Sequence, residues 1–210
     1  WMYERFWKRY LGNGPVLEFG CGVGFFARRL VRHAKVFGLE TNAFALKQVP
    51  ETAPGVEMLT TTTNLANQSV GSVVALHVFE HIADDDLILI GDELIRILQP
   101  GGRILAVMPD LEGQAHSLKG SKWSAFSDPT HINLKGAQEW RQFFEDQWKL
   151  DVISTFADGY YDLPYGPTRV KSALGDIFRV ARTLVQFLLA RPLLRPGDGE
   201  NVVFILEKRS

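Results

Sequence analysis

Residues 15–30 read PVLEFGCGVGFFARRL, and this stretch decides the fold. The apolar run at 15–19 is a short strand. It breaks into Gly20-Cys21-Gly22-Val23-Gly24, and FFARRLVRH at 25–33 then reads as a helix. Glycines at such a turn let the backbone pass close to a ligand, and the helix N-terminus supplies unpaired N–H groups. A turn that needs small residues and binds nothing is the plainer alternative. The next strand, KVFGL at 35–39, ends at Glu40. That places a carboxylate about 20 residues past the glycines, where one can accept hydrogen bonds from ribose hydroxyls. The position alone leaves a nicotinamide dinucleotide and another nucleoside cofactor both open. The dinucleotide fingerprint G-x-G-x-x-G, counted from Gly20 and Gly22, needs its third glycine where Phe25 stands, which disfavours a pyrophosphate site.

Working outward, strands and helices alternate. An aromatic-rich helix over 2–11 stops at Gly12-Asn13-Gly14, a helix at 43–52 precedes Pro54-Gly55, and VEML at 56–59 is a third strand. Residues 60–71 are loop-like. SVVALHV at 72–78 is almost wholly apolar, as a strand covered on both faces must be. Leu87, Ile90, Leu94, Ile95 and Leu98 recur at helical spacing across 84–98, and Pro100-Gly101-Gly102 leads into a strand at 102–108. A helix at 135–146, a strand at 149–157 and a last strand at 201–208 complete the pattern, which is that of an open parallel sheet with helices on both faces. We expect a single domain over 1–210, with excursions at 109–134 and 159–200 forming the acceptor side or an interaction surface.

The 210 residues suit one core, and 46% apolar with 22% charged residues is a soluble composition. A net charge of -1 argues against chain-wide attraction to nucleic acid. Cys21 is the only cysteine, so no internal disulfide framework exists and a cytoplasmic setting is expected. The chain opens on Trp1, which suggests a trimmed portion of a longer one. Neither a secretory leader nor a membrane-spanning run is read in it.

Three ordered stretches carry a family resemblance. VLEFGCGVGFFARRL resembles the first motif of class I S-adenosylmethionine-dependent methyltransferases. HVFEHI at 77–82 and LIRILQPGGRILAVMPD at 94–110 resemble segments of the UbiE/type 11 group. DPTHIN at 128–133 is similar to a loop of members associated with cell-surface sugar or lipid methylation. The resemblance implies a seven-stranded Rossmann-like α/β sheet of order 3-2-1-4-5-7-6 with an antiparallel last strand. It implies S-adenosyl-L-methionine as cofactor and S-adenosyl-L-homocysteine as product. Gly20, Gly22 and Gly24, with Cys21 between them, would pass beneath the cofactor, and Glu18 would orient that loop and the cofactor's amino group. Glu40 would hold the ribose diol, Leu65 would lie near adenine, and His77 would face the methionyl part. The acidic adenine contact usual in the family is missing from 60–63, and Gly71 replaces a usual aspartate.

Transfer to oxygen needs a base, and histidine suits that role near neutrality. His131 is the candidate base or acceptor-orienting residue, with Asp128 as its orienter. His81 is a second candidate, and a loop-fixing role for it is the simpler reading. His116 is a weaker version of the same idea, and His33 reads as surface or capping. No metal site is expected, because the spacing of these residues matches no usual zinc pattern. Trp123, Phe126, Tyr160, Tyr161, Asp162 and Tyr165 would line an acceptor pocket or wedge the excursions in place.

The helix over 172–191 has a wide apolar face. Packing of that face on the sheet is the economical expectation. A homodimer contact or a peripheral membrane contact through 172–194, at the inner face of a membrane, are the other two. The acceptor expected is a small molecule, saccharide or lipid-linked compound, methylated on oxygen, with no nucleic acid partner. A non-catalytic cofactor-binding subunit and an NAD(P)-dependent oxidoreductase are the competing readings.

Overall fold

In the computed structural model we describe residues 2–12, 14–159 and 170–209, taking 170–179 as backbone only. The strands are β1 (Val16–Phe19), β2 (Val36–Leu39), β3 (Val56–Leu59), β4 (Val70–Leu76), β5 (Leu98–Pro109), β6 (Asp151–Ala157) and β7 (Asn201–Glu207). They form one sheet in the order β3-β2-β1-β4-β5-β7-β6. The pairs among β1 to β5 are parallel, and β7 runs antiparallel to both β5 and β6. This is the order and the antiparallel strand that the sequence predicts.

Successive side chains of a strand point to opposite faces, so the sheet sorts its residues into two cores. Leu17, Val73, Ile104, Ala106 and Phe204 pack on one side with Leu87 and Leu94 of α4 (Asp84–Ile97) and Trp140 and Phe144 of α6 (Ala137–Asp146). Val16, Val74, Leu105, Val107 and Val203 pack on the other, against Phe6 and Trp7 of α1 (Met2–Tyr10), Leu30 of α2 (Ala27–Leu30) and Val49 of α3 (Ala43–Thr52). Each fully buried large side chain contributes about 1.5–3 kcal/mol. β4 is almost wholly apolar because both of its faces are covered, and its one polar side chain, Ser72, accepts from Trp7 Nε1 at 3.0 Å.

Two boundaries move from their sequence-based positions. The helix expected over 25–33 holds only Ala27–Leu30, since the chain is still turning at Phe25, which is 65% exposed. β5 begins at Leu98, not Gly102, because Leu98 pairs with Val70 across an irregularity in register.

The excursion at 109–134 is folded. It contains α5 (Gln114–Lys119), two single 3₁₀ turns and a small core of Ala115, Trp123 and Ala125. A parallel bridge between Asp110 and Lys135 closes its base. Trp123 is fully buried and donates Nε1–H to Glu200 at 2.9 Å, so it wedges the excursion in place. Tyr160, Tyr161, Asp162 and Tyr165 lie outside the described residues.

The last helix, α7 (Val170–Leu189), corrects the expectation that its apolar face packs on the sheet. Thr183, Gln186, Phe187 and Ala190 are buried, whereas Val180, Leu184, Val185, Leu188 and Leu189 are exposed. The physical reason is backbone accounting. Gln186, wholly buried, donates Nε2–H to the Ala157 carbonyl at 2.9 Å. Its Oε1 accepts from Leu193 N at 2.8 Å and Leu194 N at 3.0 Å. A leucine at that position would leave three backbone groups unpaired, at about 1–3 kcal/mol each.

Candidate active site

A cleft of about 680 Å³ opens at the C-terminal ends of β1, β2 and β4, lined in part by Gly20, Glu40, His77 and His81. That volume lies within the roughly 300–1,000 Å³ of small-molecule sites. In open α/β sheets ligands bind there, where the strand order reverses.

The glycine loop is shaped for an approach. Gly20 adopts φ +70°, and a Cβ there would meet Val78 at 2.5 Å, so only glycine fits. Gly22 adopts φ +53°, but a Cβ there would meet nothing within 4 Å. Its backbone faces open space, as a cofactor cradle must. Cys21 packs inward against Gly38, and a Cβ on that residue would stand 3.2 Å from its sulfur. Burial pushes the Cys21 thiol up to about 12, with the Glu18 and Glu40 carboxylates adding, so it stays protonated and inert. Gly24 seats the loop against Ala53.

Glu40 is fixed by three backbone donors. Its Oε1 accepts from Thr41 N and Asn42 N, each at 2.7 Å, and its Oε2 from Gly22 N at 2.8 Å. The carboxylate therefore joins the end of β2 to the glycine loop at the cleft wall, with one lone pair, on Oε2, left for a ribose hydroxyl. Glu18 is buried, and burial pushes its carboxyl up to about 8 against an Ala27 N–H that favours the charged form. Its Oε2 has no hydrogen-bond partner. An orphaned carboxylate oxygen behind a glycine cradle fits a cofactor with a cationic amino group, directly or through water. These residues thus suit the implied cofactor.

Leu65 is buried in the core just after Thr62–Asn64, and its carbonyl accepts from Arg96 Nη1 at 2.9 Å. A smaller cavity of about 200 Å³ shares Phe19, Leu89 and Ile90 with the cleft and adds Thr62 and Glu93. Glu93, bonded to Arg96 and 3.3 Å from Thr62 Oγ1, brings to this side the acidic group that 60–63 lack.

His77 has a left-handed backbone, φ +56°, an uncommon conformation for a non-glycine residue. Its Nδ1 lies 3.3 Å from Glu80 Oε1. Desolvation disfavours the charged ring, but the Glu80 carboxylate outweighs it, with Asp158 and Glu200 adding, so His77 titrates above its usual value. Glu80 is fully buried, and apart from His77 at 3.3 Å neither of its carboxylate oxygens faces a hydrogen-bond donor among the described residues.

The three proposed acceptor-side residues come together. The His81 and His131 rings lie 4.6 Å apart, centre to centre. His131 Nδ1 is 2.7 Å from the Ala125 carbonyl. Nδ1 must carry the proton there, which leaves Nε2 with its lone pair. Asp128 Oδ2 stands 3.8 Å from that Nε2. Asp128 Oδ1 accepts from Thr130 Oγ1 at 2.6 Å and Thr130 N at 2.9 Å, which holds its carboxyl below the usual range. His81 Nδ1 reaches Thr130 Oγ1 at 2.9 Å and its carbonyl at 3.2 Å, so His81 too is left with a basic Nε2. The loop is strapped to the cleft by Asn133, whose N–H donates to the Glu80 carbonyl and whose Nδ2–H reaches Ile82 O and Asp84 Oδ1. His116 stands apart, bonded to Leu111 O and packed on Trp123 and Phe126. His33 pairs with Glu4.

Ligand atoms of Glu80, His81 and His131 lie within 4.8 Å of one another, close enough for a cation to draw together. The sequence reading expected no metal and did not foresee this grouping. It also missed Thr41, Asp86, Leu89 and Ile90 at the cleft wall. The readable signal was Leu89, an apolar residue off the buried stripe of α4 and 66% exposed.

A glycine cradle, a carboxylate closing β2 and this strand order define a class I S-adenosylmethionine-dependent methyltransferase. Residues 3–147 match the family model described as a methyltransferase domain, and the chain belongs to that family. It is therefore an enzyme of the methyl-transferring class. No curated protein matches.

Among solved structures, the chain is similar to a SAM-dependent methyltransferase from Archaeoglobus fulgidus, at TM-score 0.66 and 16% identity over 98% of this chain and 93% of that one. It is also similar to the geranyl diphosphate C-methyltransferase of Streptomyces coelicolor A3(2), at TM-score 0.63 and 16% identity over 98% and 79%. A third is phosphoethanolamine N-methyltransferase 2 of Haemonchus contortus, at TM-score 0.66 and 17% identity over 100% and 53%. At such identities the likeness shows the fold. Acceptors as different as those two names carry sit on it, so the acceptor must be argued from the site.

Proposed function

We propose that this chain methylates an oxygen of a small molecule, saccharide or lipid-linked acceptor, working as one domain of the UbiE/type 11 kind. Its excursions at 109–134 and 159–200 would form the acceptor side or an interaction surface. The observation that carries this reading is His81, which lines the cleft with Glu40 and Gly20, with the His131 ring 4.6 Å from its own and the Nδ1 of each held by a loop oxygen.

S-adenosyl-L-methionine supplies the sulfonium methyl and leaves as S-adenosyl-L-homocysteine. Glu40, oriented by three amides, would accept from a ribose hydroxyl at its remaining Oε2 lone pair. Glu18 turns its orphaned oxygen to the amino group, and Gly20 and Gly22 give the backbone room to approach. His77 closes the methionyl end. His131 Nε2 takes the hydroxyl proton as the new carbon–oxygen bond forms, and Asp128, 3.8 Å away, stabilises the imidazolium. General-base help of this kind contributes about 10²–10⁴-fold. His81 orients the hydroxyl from the opposite side. A methyl donor, not a nicotinamide, fits a loop in which Phe25 stands at the third glycine position.

The test screens hydroxyl-bearing saccharides and polyprenyl-linked saccharides for methylated product with wild type and His131→Ala. The reading expects a loss of about 10²-fold or more in kcat with S-adenosylhomocysteine affinity kept. Turnover unchanged in His131→Ala would remove the base assignment. Cofactor binding without product from any acceptor would favour a non-catalytic module.

A further inference from the structure

From Val180 on, α7 turns Thr183, Gln186 and Phe187 inward and leaves a row of apolar side chains in water. Val180, Leu184, Leu188 and Leu189 are each more than half exposed, at 54%, 54%, 57% and 51%, and Val185 and Leu193 extend the same strip. Single exposed apolar residues are ordinary, whereas a continuous strip on one helix marks a surface that meets another phase or molecule. The strip is fixed by the inward side: Gln186 and Phe187 are buried and Gln186 makes three backbone hydrogen bonds. The helix cannot roll to hide the leucines without breaking those bonds.

The rim of the strip is basic. Arg5 donates to the Leu188 carbonyl, and Arg9 donates to the Leu189 carbonyl at 3.5 Å, so α1 places two guanidinium groups at the end of the apolar row. Arg182 donates to the Leu193 carbonyl, and Arg191 and Arg195 are exposed in the segment that follows. From Arg169 to Arg195 the sequence has six basic residues and one acidic, in a chain whose net charge is -1. Predominantly basic charge, gathered round an apolar strip, selects the occupant, although Asp198 accepts from the Arg195 N–H at 3.0 Å. A second copy would set this arginine rim against its own image, which like-charge repulsion opposes. An anionic bilayer offers acyl chains to the leucines and phosphates to the arginines, the arrangement of helices lying in the plane of a membrane. Among the described residues no helix is long and apolar enough to cross one.

We infer that the outer face of α7, rimmed by Arg5, Arg9, Arg182, Arg191 and Arg195, docks this enzyme on an anionic lipid surface. The inference goes beyond methyl transfer and stands whatever the acceptor is.

The experiment is co-sedimentation of the full chain with vesicles of phosphatidylcholine alone or mixed equally with phosphatidylglycerol, at low and high salt. Sedimentation velocity without lipid runs beside it. Wild type sediments with the mixed vesicles at low salt, at least about tenfold more tightly than with neutral ones, and is released by salt. Leu184→Ser with Leu188→Ser lowers that affinity by about tenfold or more, and Arg191→Gln lowers it by about fivefold. Circular dichroism and S-adenosylhomocysteine affinity stay unchanged, which shows that the variants fold. Wild type that ignores the mixed vesicles would overturn the inference, as would binding that the double serine variant leaves intact. A lipid-free dimer that this variant converts to monomer would assign the face to a second copy instead.

Discussion

Glu18→Gln should change how stability depends on pH. In the folded chain the Glu18 carboxyl is 4% exposed and titrates at about 8, against an ordinary value of 4.5. A carboxyl whose folded value is raised stabilises the fold while it is protonated. That contribution is complete below pH 4.5 and is lost as pH rises through 8. Each unit of difference is about 1.4 kcal/mol, so roughly 3 kcal/mol goes between pH 4.5 and 7, and about 5 by pH 9. Against total stabilities of about 5–15 kcal/mol this is a large share. Glutamine has nearly the same shape and can still accept from the Ala27 N–H, but it carries no charge at any pH. Urea unfolding of both proteins at pH 5, 7 and 9 isolates the effect, because every other titrating group, His77 and Asp110 included, is common to the pair. The glutamine variant should gain on wild type by about 3–5 kcal/mol from pH 5 to pH 9. Parallel stability curves over that range would refute the reasoning and place Glu18 in contact with water.

Further outcomes follow from the same structure. Gly91→Ala would raise helix propensity in α4 by about 1 kcal/mol, yet its Cβ would sit 2.3 Å from Trp148 Nε1, which donates to Leu87 O. Net destabilisation of about 1–3 kcal/mol is expected from thermal unfolding, and an unchanged midpoint would show that Trp148 yields easily. On the proposed reading turnover should persist after dialysis against a chelator, because His131 is the base and His81 orients the hydroxyl. Loss of activity restored by one divalent metal would instead make Glu80, His81 and His131 its ligands.

Much of the fold was legible in sequence because its signals are local and strong. The apolar run of β4 can only be a strand covered on both faces, and the glycines at 20, 22 and 24 mark a turn that no other residue tolerates at position 20. Asn42, just ahead of the helix read at 43–52, accepts from Phe44 N and Ala45 N and sets the first residue of α3. What sequence did not yield depends on distant partners. The inward side of α7 is chosen by the Ala157 carbonyl and the Leu193 and Leu194 amides, which helical spacing cannot show. Hydrophobicity alone turned the helix the wrong way. Likewise Glu80, adjacent to His81 in the chain, gains meaning only once the loop at 128–133 folds back and brings His131 beside them. Leu89 and Ile90 reach the cleft wall from α4, a placement that their helical spacing in the sequence does not show.

The central claim is that the cleft between Gly20, Glu40 and His77 is built for the methyl donor. Isothermal titration of the full chain with S-adenosylhomocysteine, repeated with NAD, tests it most directly. One-site binding of S-adenosylhomocysteine with no heat from NAD is the predicted result. Binding of NAD alone, or of neither compound, would contradict the account.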